Sequence, residues 1–436
     1  MKKVAFILCI LGILLVQFGM APTYAAEMDV LINKLVEKGI LTHPEAGKLL
    51  KEMQEEGNRQ EATVREVATE VARETATKTA KEEAKSNLAK LPKWVDKIKL
   101  KGDFRLRYQY QDKKTDSGEK TDRKRGRYRW RFGAIADVTE DCQVGFGLAS
   151  GSGDPRSTNQ TFANDFETPD ARIDYAYAQY KPFKWLKLVG GQMKNPLYRV
   201  KDLMWDSDIR PQGVATPVKY HWNDSDYFFV TPALFILDEY KADDKSDPYM
   251  FVLQPGIKMN INKSFWFKVA GSWYLNTNVD GTNFKYSSGT NTTDINGNLI
   301  YDYSALAIGG EFGFKFGGPV PRLIFFGQFV KSDADDNEKG WLAGVKFGHK
   351  VKKFPDWEMS YNYRKLEKDA WPDFLPDSDF YGGKTNAKGH EVAFKLGLAK
   401  HVDFAIDYYY TEKIDYAPGL TSEPENLVQV DLKFKW

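Results

Sequence analysis

Most of the sequence alternates apolar and polar residues with a period of two, and the pattern is clearest in the final ten residues. There one face is apolar and the other polar, with Val428, Val430, Leu432, Phe434 and Trp436 set against Gln429, Asp431, Lys433 and Lys435. Side chains of a β-strand point alternately to opposite faces, so this pattern predicts a strand. A strand at a chain end needs partners on its edges, and a closed barrel supplies them. We therefore expect Leu427 to Trp436 to pair with Ile98 to Gln111, with the apolar face in lipid.

The alternation recurs along the chain and predicts an all-β transmembrane barrel of 16 antiparallel strands over residues 94–436. Two segments are the least regular, because Pro217 and Pro232 interrupt them. The predicted strands lie near residues 98–111, 125–132, 142–150, 171–181, 186–194, 214–222, 227–237, 249–259, 265–275, 303–316, 322–331, 340–350, 357–367, 389–399, 402–413 and 426–436.

The connections between these segments alternate in length. Short links, such as 138–141 and 400–401, alternate with long polar ones, such as 151–170 and 276–302. Bacterial barrels have short periplasmic turns and longer outer loops, and an even number of strands leaves both chain ends in the periplasm. A soluble β-sandwich is the alternative for so many strands, but it does not explain an outward face of Tyr128, Trp130 and Phe132.

The first part of the chain has no strand pattern. Residues 1–26 resemble a secretory signal peptide, with two lysines, an apolar run and a small-residue end. Residues 27–93 predict helices over 28–53 and about 61–90, the first with a new helix start at 42–45. The second helix has a weak stripe of valines and alanines, so a coiled coil and a solvated single helix both remain open. We expect this segment to lie in the periplasm.

Composition excludes several functional classes. The formal net charge is only +2, which gives no indication of a nucleic-acid partner. Beyond the signal no apolar run is long enough for a helical membrane span. The five histidines are scattered without zinc spacing, and no nucleophile or phosphate-loop motif is present. The sequence therefore predicts no enzyme, no metal site and no cofactor.

Basic residues dominate the polar faces of the first two predicted strands. A barrel of this size leaves water in its bore, so these faces should line the pore. Guanidinium groups in a narrow channel attract anions, although inward charges can also serve only to keep the lumen wet. We call these eight residues the basic ladder: Lys99, Lys101, Arg105, Arg107, Arg125, Arg127, Arg129 and Arg131.

The third long connection predicts a constriction. Leu203, Met204 and Trp205 are too apolar for a loop in water, so the loop should fold inward. This would bring its acids towards the basic ladder and create a transverse field across the pore. The alternative is a surface turn capped by aspartates. The predicted constriction residues are Lys194, Asp202, Asp206, Asp208 and Arg210.

Three segments resemble the bacterial putative-porin family of outer-membrane proteins, which is distantly similar to the phosphate-selective porins. They are 31–42, 193–196, and 204–208 together with 213–215. The resemblance implies a homotrimeric barrel whose third loop narrows the pore, and passive diffusion of small solutes. It also implies that the terminal Trp436 is part of the signal read by the barrel-assembly machinery. Selectivity for phosphate is not carried over, because the acids of the third loop oppose a purely anionic route.

The sequence thus predicts a porin in the outer membrane of a Gram-negative bacterium. Its partners would be outer-membrane lipid, two further copies of the chain, the barrel-assembly machinery and small hydrophilic solutes or anions. The alternative is a structural protein that tethers the membrane to peptidoglycan through residues 27–93.

Overall fold

The computed structural model describes residues 22–88, 97–114, 120–241, 246–416 and 424–436. The chain divides into two compact units, Met1–Pro92 and Lys93–Trp436. Most of the predicted signal peptide, residues 1–21, lies outside the described residues.

The first unit contains two helices, α1 (Pro22–Glu37) and α2 (His43–Leu88). The predicted start of the second helix is present, because Thr42 donates from its backbone N and its Oγ1 to Glu45 Oε2, at 2.9 and 2.7 Å. The predicted break after residue 53 is wrong. Ala, Glu, Lys and Arg favour helix on both sides of it, and α2 runs through without interruption. In the part of this unit that the structure describes, neither helix is both long and apolar enough to cross a membrane.

The second unit is a closed antiparallel β-barrel. Its strands are β1 (Ile98–Lys114), β2 (Lys120–Asp137), β3 (Cys142–Ala149), β4 (Gln160–Thr161), β5 (Arg172–Phe183), β6 (Leu186–Gln192), β7 (Gln212–Ala215), β8 (Val218–His221), β9 (Tyr227–Ile236), β10 (Tyr249–Asn260), β11 (Phe265–Thr277), β12 (Ala305–Lys315), β13 (Arg322–Ser332), β14 (Lys339–Gly348), β15 (Trp357–Leu366), β16 (Ala387–Ala399), β17 (Val402–Lys413) and β18 (Glu425–Lys435).

These strands occupy sixteen positions around the barrel, and each position corresponds to one predicted strand. This confirms the predicted fold class. β7 and β8 form one interrupted position, because Pro217 lies between them and cannot donate to a ladder. Pro232, by contrast, lies within the continuous strand β9. β4 is a short addition from a long loop and pairs with Arg127 and Tyr128 of β2 beyond the end of β3.

The barrel closes between its first and last strands. β1 pairs with β18 from Asp103 opposite Lys435 to Asp112 opposite Asn426, as the alternation predicts. Trp436 completes the seam, because its backbone and that of Gly102 exchange two hydrogen bonds of 3.1 and 3.2 Å. Closure leaves neither terminal strand with a free edge.

The two faces of the wall differ as the period of two requires. Side chains such as Leu106, Phe325 and Trp273 are exposed on the outside, and a lipid-facing wall has this character. Side chains such as Arg107, Gln254 and Asn362 are buried on the inside. The bore is therefore polar, and the residues within it determine what can pass.

Long loops enter the bore at the end opposite the short turns. The third loop (193–211) packs against residues 367–386, which we call the β15–β16 loop after the strands that it joins. Trp205 lies edge-on to Trp371, and Trp371 Nε1 donates to the Met204 carbonyl at 2.7 Å. Leu203, Met204 and Trp205 are almost wholly buried. The apolar residues thus hold the third loop inside the barrel.

Candidate pore and constriction

The basic ladder lies on one inner wall. Adjacent strands place Arg105 opposite Arg129 and Arg107 opposite Arg127, while β18 brings Lys433 beside Arg105 and Asp431 beside Arg107. Like charges at neighbouring positions of a sheet repel each other, so the arrangement requires counter-charges or bound anions.

Asp431 is the main counter-charge at the centre of the ladder. Its carboxylate accepts from Arg107 Nε and Nη2 at 2.7 and 2.9 Å, a two-point contact, and lies 3.5 Å from Arg105 Nη1. Lys433 Nζ is 3.0 Å away on the same strand. Asp379 of the β15–β16 loop adds a second carboxylate, 3.1 Å from Arg107 Nη1. Arg105 and Arg107 are therefore held in place rather than free in the channel.

Asp103 performs the same role one step closer to the short-turn end. It lies 2.7 Å from both Arg129 and Arg131. Lys99, nearer that end, pairs with Asp137 at 2.9 Å. Among the described residues, Lys101, Arg125 and Arg127 have no carboxylate within 4 Å, and Arg127 donates instead to Gln109 at 3.2 Å.

The third loop reaches the ladder through Asp208. Its carboxylate is 3.1 Å from Arg131 and accepts from the backbone N and Oγ1 of Thr158 at 3.0 and 2.8 Å. Burial alone would raise the pKa of Asp208, but Arg129, Arg131 and the Thr158 hydrogen bonds outweigh burial and hold the pKa well below its ordinary value. Asp208 is therefore ionised and fixes the loop to the ladder wall.

Asp202 lies at a different wall. It is 2.8 Å from Arg364 and 3.4 Å from Lys201, and Glu391 binds both of these cations. Burial would raise the pKa of Asp202, but Lys201 and Arg364 hold it at about 2. The structure does not bring this predicted residue to the ladder, so it fixes the loop on the β15–β16 side.

Asp206 contacts the β15–β16 loop instead of the ladder. It accepts from the backbone N–H groups of Ser378 and Asp208, each at 2.8 Å. Burial and the neighbouring charge of Asp208 outweigh these bonds and raise its pKa to about 8. Asp202, Asp206 and Asp208 thus point to three separate partners.

Lys194 and Arg210 lie at the two ends of the third loop, on the ladder side. Arg210 Nε is 3.2 Å from Asp174, whereas Lys194 Nζ lies 5.6 Å from the centre of the Tyr175 ring and has no carboxylate within 4 Å among the described residues. Burial, together with Arg210 and Arg131, lowers the pKa of Lys194. An anion bound beside Lys194 would therefore relieve repulsion.

A cavity of about 670 Å³ separates the third loop from the ladder, and we call it the basic cavity. Three carboxylates line it, those of Asp103, Asp174 and Asp208. Eight cationic side chains also line it: Lys101, Arg105, Arg129, Arg131, Lys194, Arg199, Arg210 and Lys433. The space through which a solute would pass the loop is therefore strongly positive.

Sequence reasoning missed several residues that shape this region. Arg199 lines the cavity and donates to the carbonyls of Trp205 and Asp206 at 3.3 and 3.1 Å, with no carboxylate within 4 Å among the described residues. Arg364 and Glu391 lie on inward positions of predicted strands, so alternation could have found them. Asp379 and Asp377 belong to the β15–β16 loop, whose inward fold has no comparable signal in the sequence.

A comparison with models of protein families identifies one family. The sequence matches the family described as "Putative porin" over residues 60–120, 114–305 and 291–436. No curated protein sequence matches this chain.

Several solved structures are similar in fold to this chain, among them the following three. Pseudomonas putida OprB has 14% identity and a TM-score of 0.49, with 79% of this chain and 95% of that chain covered. The outer membrane channel DcaP of Acinetobacter baumannii has 14% identity and a TM-score of 0.43, with 78% and 97% covered. A mutant of the Rhodopseudomonas blastica porin has 9% identity and a TM-score of 0.43, with 78% and 100% covered.

The family match extends over most of the chain and includes every strand of the barrel. The chain belongs to the putative-porin family and is an outer-membrane channel protein.

Proposed function

We propose that this channel carries small hydrophilic solutes by passive diffusion and favours anions over cations. The excess of cationic side chains in the basic cavity is the observation that supports this preference. In a water-filled bore with low-dielectric walls, such an excess raises the local concentration of anions. Asp103, Asp431 and Asp208 neutralise part of the ladder. Lys101, Lys194 and Arg199 have no carboxylate within 4 Å in the part of the chain that the structure describes, so these three cations carry most of the selectivity.

The reversal potential in a salt gradient across a planar bilayer tests this preference. Wild-type protein should give a potential on the anion-selective side, and Lys101→Gln combined with Lys194→Gln should move it towards the cation-selective side. Lys99→Gln is the matched control, because Lys99 is on the same strand but pairs with Asp137 and lies outside the cavity. A cation-selective wild-type channel, or an equal shift in the control, contradicts the proposal.

The same proposal includes the location of the N-terminal helices and the oligomeric state. The short connections 138–141, 184–185 and 400–401 share the barrel end at which β1 begins and β18 ends. Short turns face the periplasm in bacterial barrels, which supports a periplasmic position for α1 and α2. A homotrimer is the assembly typical of porins, and we include it in the proposal.

A further inference from the structure

A second cavity lies on the other side of the third loop. It has a volume of about 580 Å³, within the range typical of small-molecule sites, and it separates the loop from the wall formed by β8, β9 and β11. Three aromatic rings and two lysines characterise it, and we call it the ring-lined cavity: Tyr198, Tyr227, Phe229, Lys219 and Lys268. Arg199 and Ser207 of the third loop line both this cavity and the basic cavity.

The rings form a connected cluster. Phe229 lies edge-on to Tyr198, with ring centres 6.2 Å apart, and tilted against Tyr227 at 6.1 Å. Each ring comes from an inward position or from the third loop, so none of them faces lipid. Aromatic surface inside an aqueous channel is costly to hydrate, and a flat apolar solute would cover it favourably.

The lysines hold their ammonium groups over these rings. Lys219 Nζ is 3.7 Å from the centre of Tyr227, and Lys268 Nζ is 3.7 Å from the centre of Tyr198. Among the described residues neither ammonium group has a carboxylate within 4 Å, a distance that Lys201 reaches with both Asp202 and Glu391. An ammonium group has three N–H donors, and contact with one ring face leaves some of these donors able to bind a solute. The cavity therefore offers positive donors beside apolar ring surface.

The remaining lining distinguishes between classes of solute. Pro196, Leu197, Pro217 and Val218 add apolar surface, and Ser207 and Thr231 are the aliphatic hydroxyl groups. Lys201 and Asp202 also line the cavity, and the Asp202 carboxylate is paired with Lys201 and Arg364. The Tyr198 hydroxyl donates to Glu311 at 3.2 Å. A sugar needs many neutral donors and acceptors, and this lining provides few. A bare inorganic anion would pair with the lysines but leave the rings uncovered.

We propose that the ring-lined cavity binds small aromatic carboxylates, with the carboxylate between Lys219 and Lys268 and the solute ring against Tyr227 and Phe229. The site lies on the route past the third loop, beside the basic cavity at Arg199. The proposal rests on anions entering the channel. The binding of the solute's aromatic ring by the cavity is a separate property from the anion preference of the whole channel.

Single-channel current through the intact protein tests the proposal with three probes: benzoate, acetate and benzamide. Benzoate should interrupt the potassium chloride current at concentrations at least tenfold below those at which acetate or benzamide do so. Acetate lacks the ring and benzamide lacks the charge. A stronger effect of benzoate than of either one therefore shows that the site recognises the ring and the charge together, and this test uses only the wild-type protein. Equal interruption by benzoate and acetate overturns the site even if the channel proves anion-selective.

Two variants place the site. Lys219→Gln combined with Lys268→Gln should weaken the benzoate effect at least tenfold, with an open current still measured in potassium chloride alone. Lys346→Gln is the matched control, because Lys346 also lies over an inner ring, 5.6 Å from the centre of Phe326, but does not line the cavity. An unchanged benzoate effect in the double variant, or an equal loss in the control, overturns the proposal.

Discussion

Asp431 is the residue on which the centre of the ladder depends most. It is wholly buried and compensates Arg107 at two atoms, with Arg105 and Lys433 close by. Removal of one partner from a buried ion pair leaves an uncompensated charge and typically costs about 3–5 kcal/mol. We expect Asp431→Asn to lower the free energy of unfolding by about that amount, measured by denaturant unfolding of the folded barrel.

The matched control is Asp137→Asn. Asp137 also pairs with an inward lysine, but its partner Lys99 is largely exposed and water screens the pair, so Asp137→Asn should cost much less than Asp431→Asn. Equal costs for Asp431→Asn and Asp137→Asn would show that burial does not govern the ladder. The double variant Asp431→Asn with Arg107→Gln should cost less than the sum of the two single changes, because the charges then disappear together.

The sequence predicts which face of the wall a residue occupies, but not which residue lies beside it. The period of two places Arg105, Arg107 and Arg129 inside the barrel, and the structure has them there. The pairing of Arg107 with Asp431 spans 324 positions and depends on the register of the closing seam. Alternation determines which face a residue occupies, but it does not specify which residue lies opposite. The sequence predicts that the first and last strands pair, but it does not give the register of that pairing, so the counter-charge of each ladder residue was not predictable.

At the scale of elements, helix α2 has an apolar stripe with no partner in the described residues. Val64, Val67 and Val71 are 66%, 57% and 56% exposed and recur at helical spacing on one face. Exposed valines in regular spacing favour association with another copy of the helix, so the coiled coil stays a prediction. Cysteine at Val67, in a Cys142→Ser background, should then form a disulfide between copies on mild oxidation, as seen by non-reducing electrophoresis.

Thr69→Cys in the same background provides the comparison, because Thr69 lies on the opposite face of the helix. Cross-linking of both variants to the same extent would indicate random collision, and cross-linking of neither would indicate a solvated single helix.

The third loop shows why loops resist prediction more than strands do. Leu203, Met204 and Trp205 indicate an inward fold, and these residues are buried in the structure. Asp202 and Asp206 nevertheless bind Arg364 and the Ser378 backbone rather than the ladder. Their partners belong to β15 and the β15–β16 loop, and such contacts depend on how separate loops fill the bore. Sequence periodicity carries no information about that packing.

At the scale of the whole molecule, closure of the barrel depends on a close contact at the seam. Gly102 and Trp436 exchange backbone hydrogen bonds, and the indole ring covers the outer face of Gly102 so closely that an added Cβ would overlap it. We expect Gly102→Val to displace Trp436 and to destabilise the barrel by about 1–3 kcal/mol, as overpacking typically does. Denaturant unfolding of the folded barrel in lipid measures this loss.

Gly271→Val separates this effect from the general effect of valine in a strand. Gly271 also faces outward, on β11, but an added Cβ there meets no atom within 4 Å. Valine is favoured in strands, so Gly271→Val should leave the free energy of unfolding unchanged or raise it by up to about 0.5 kcal/mol. If both variants lose the same stability, the seam is no more sensitive than the rest of the wall, and Trp436 does not hold the barrel closed.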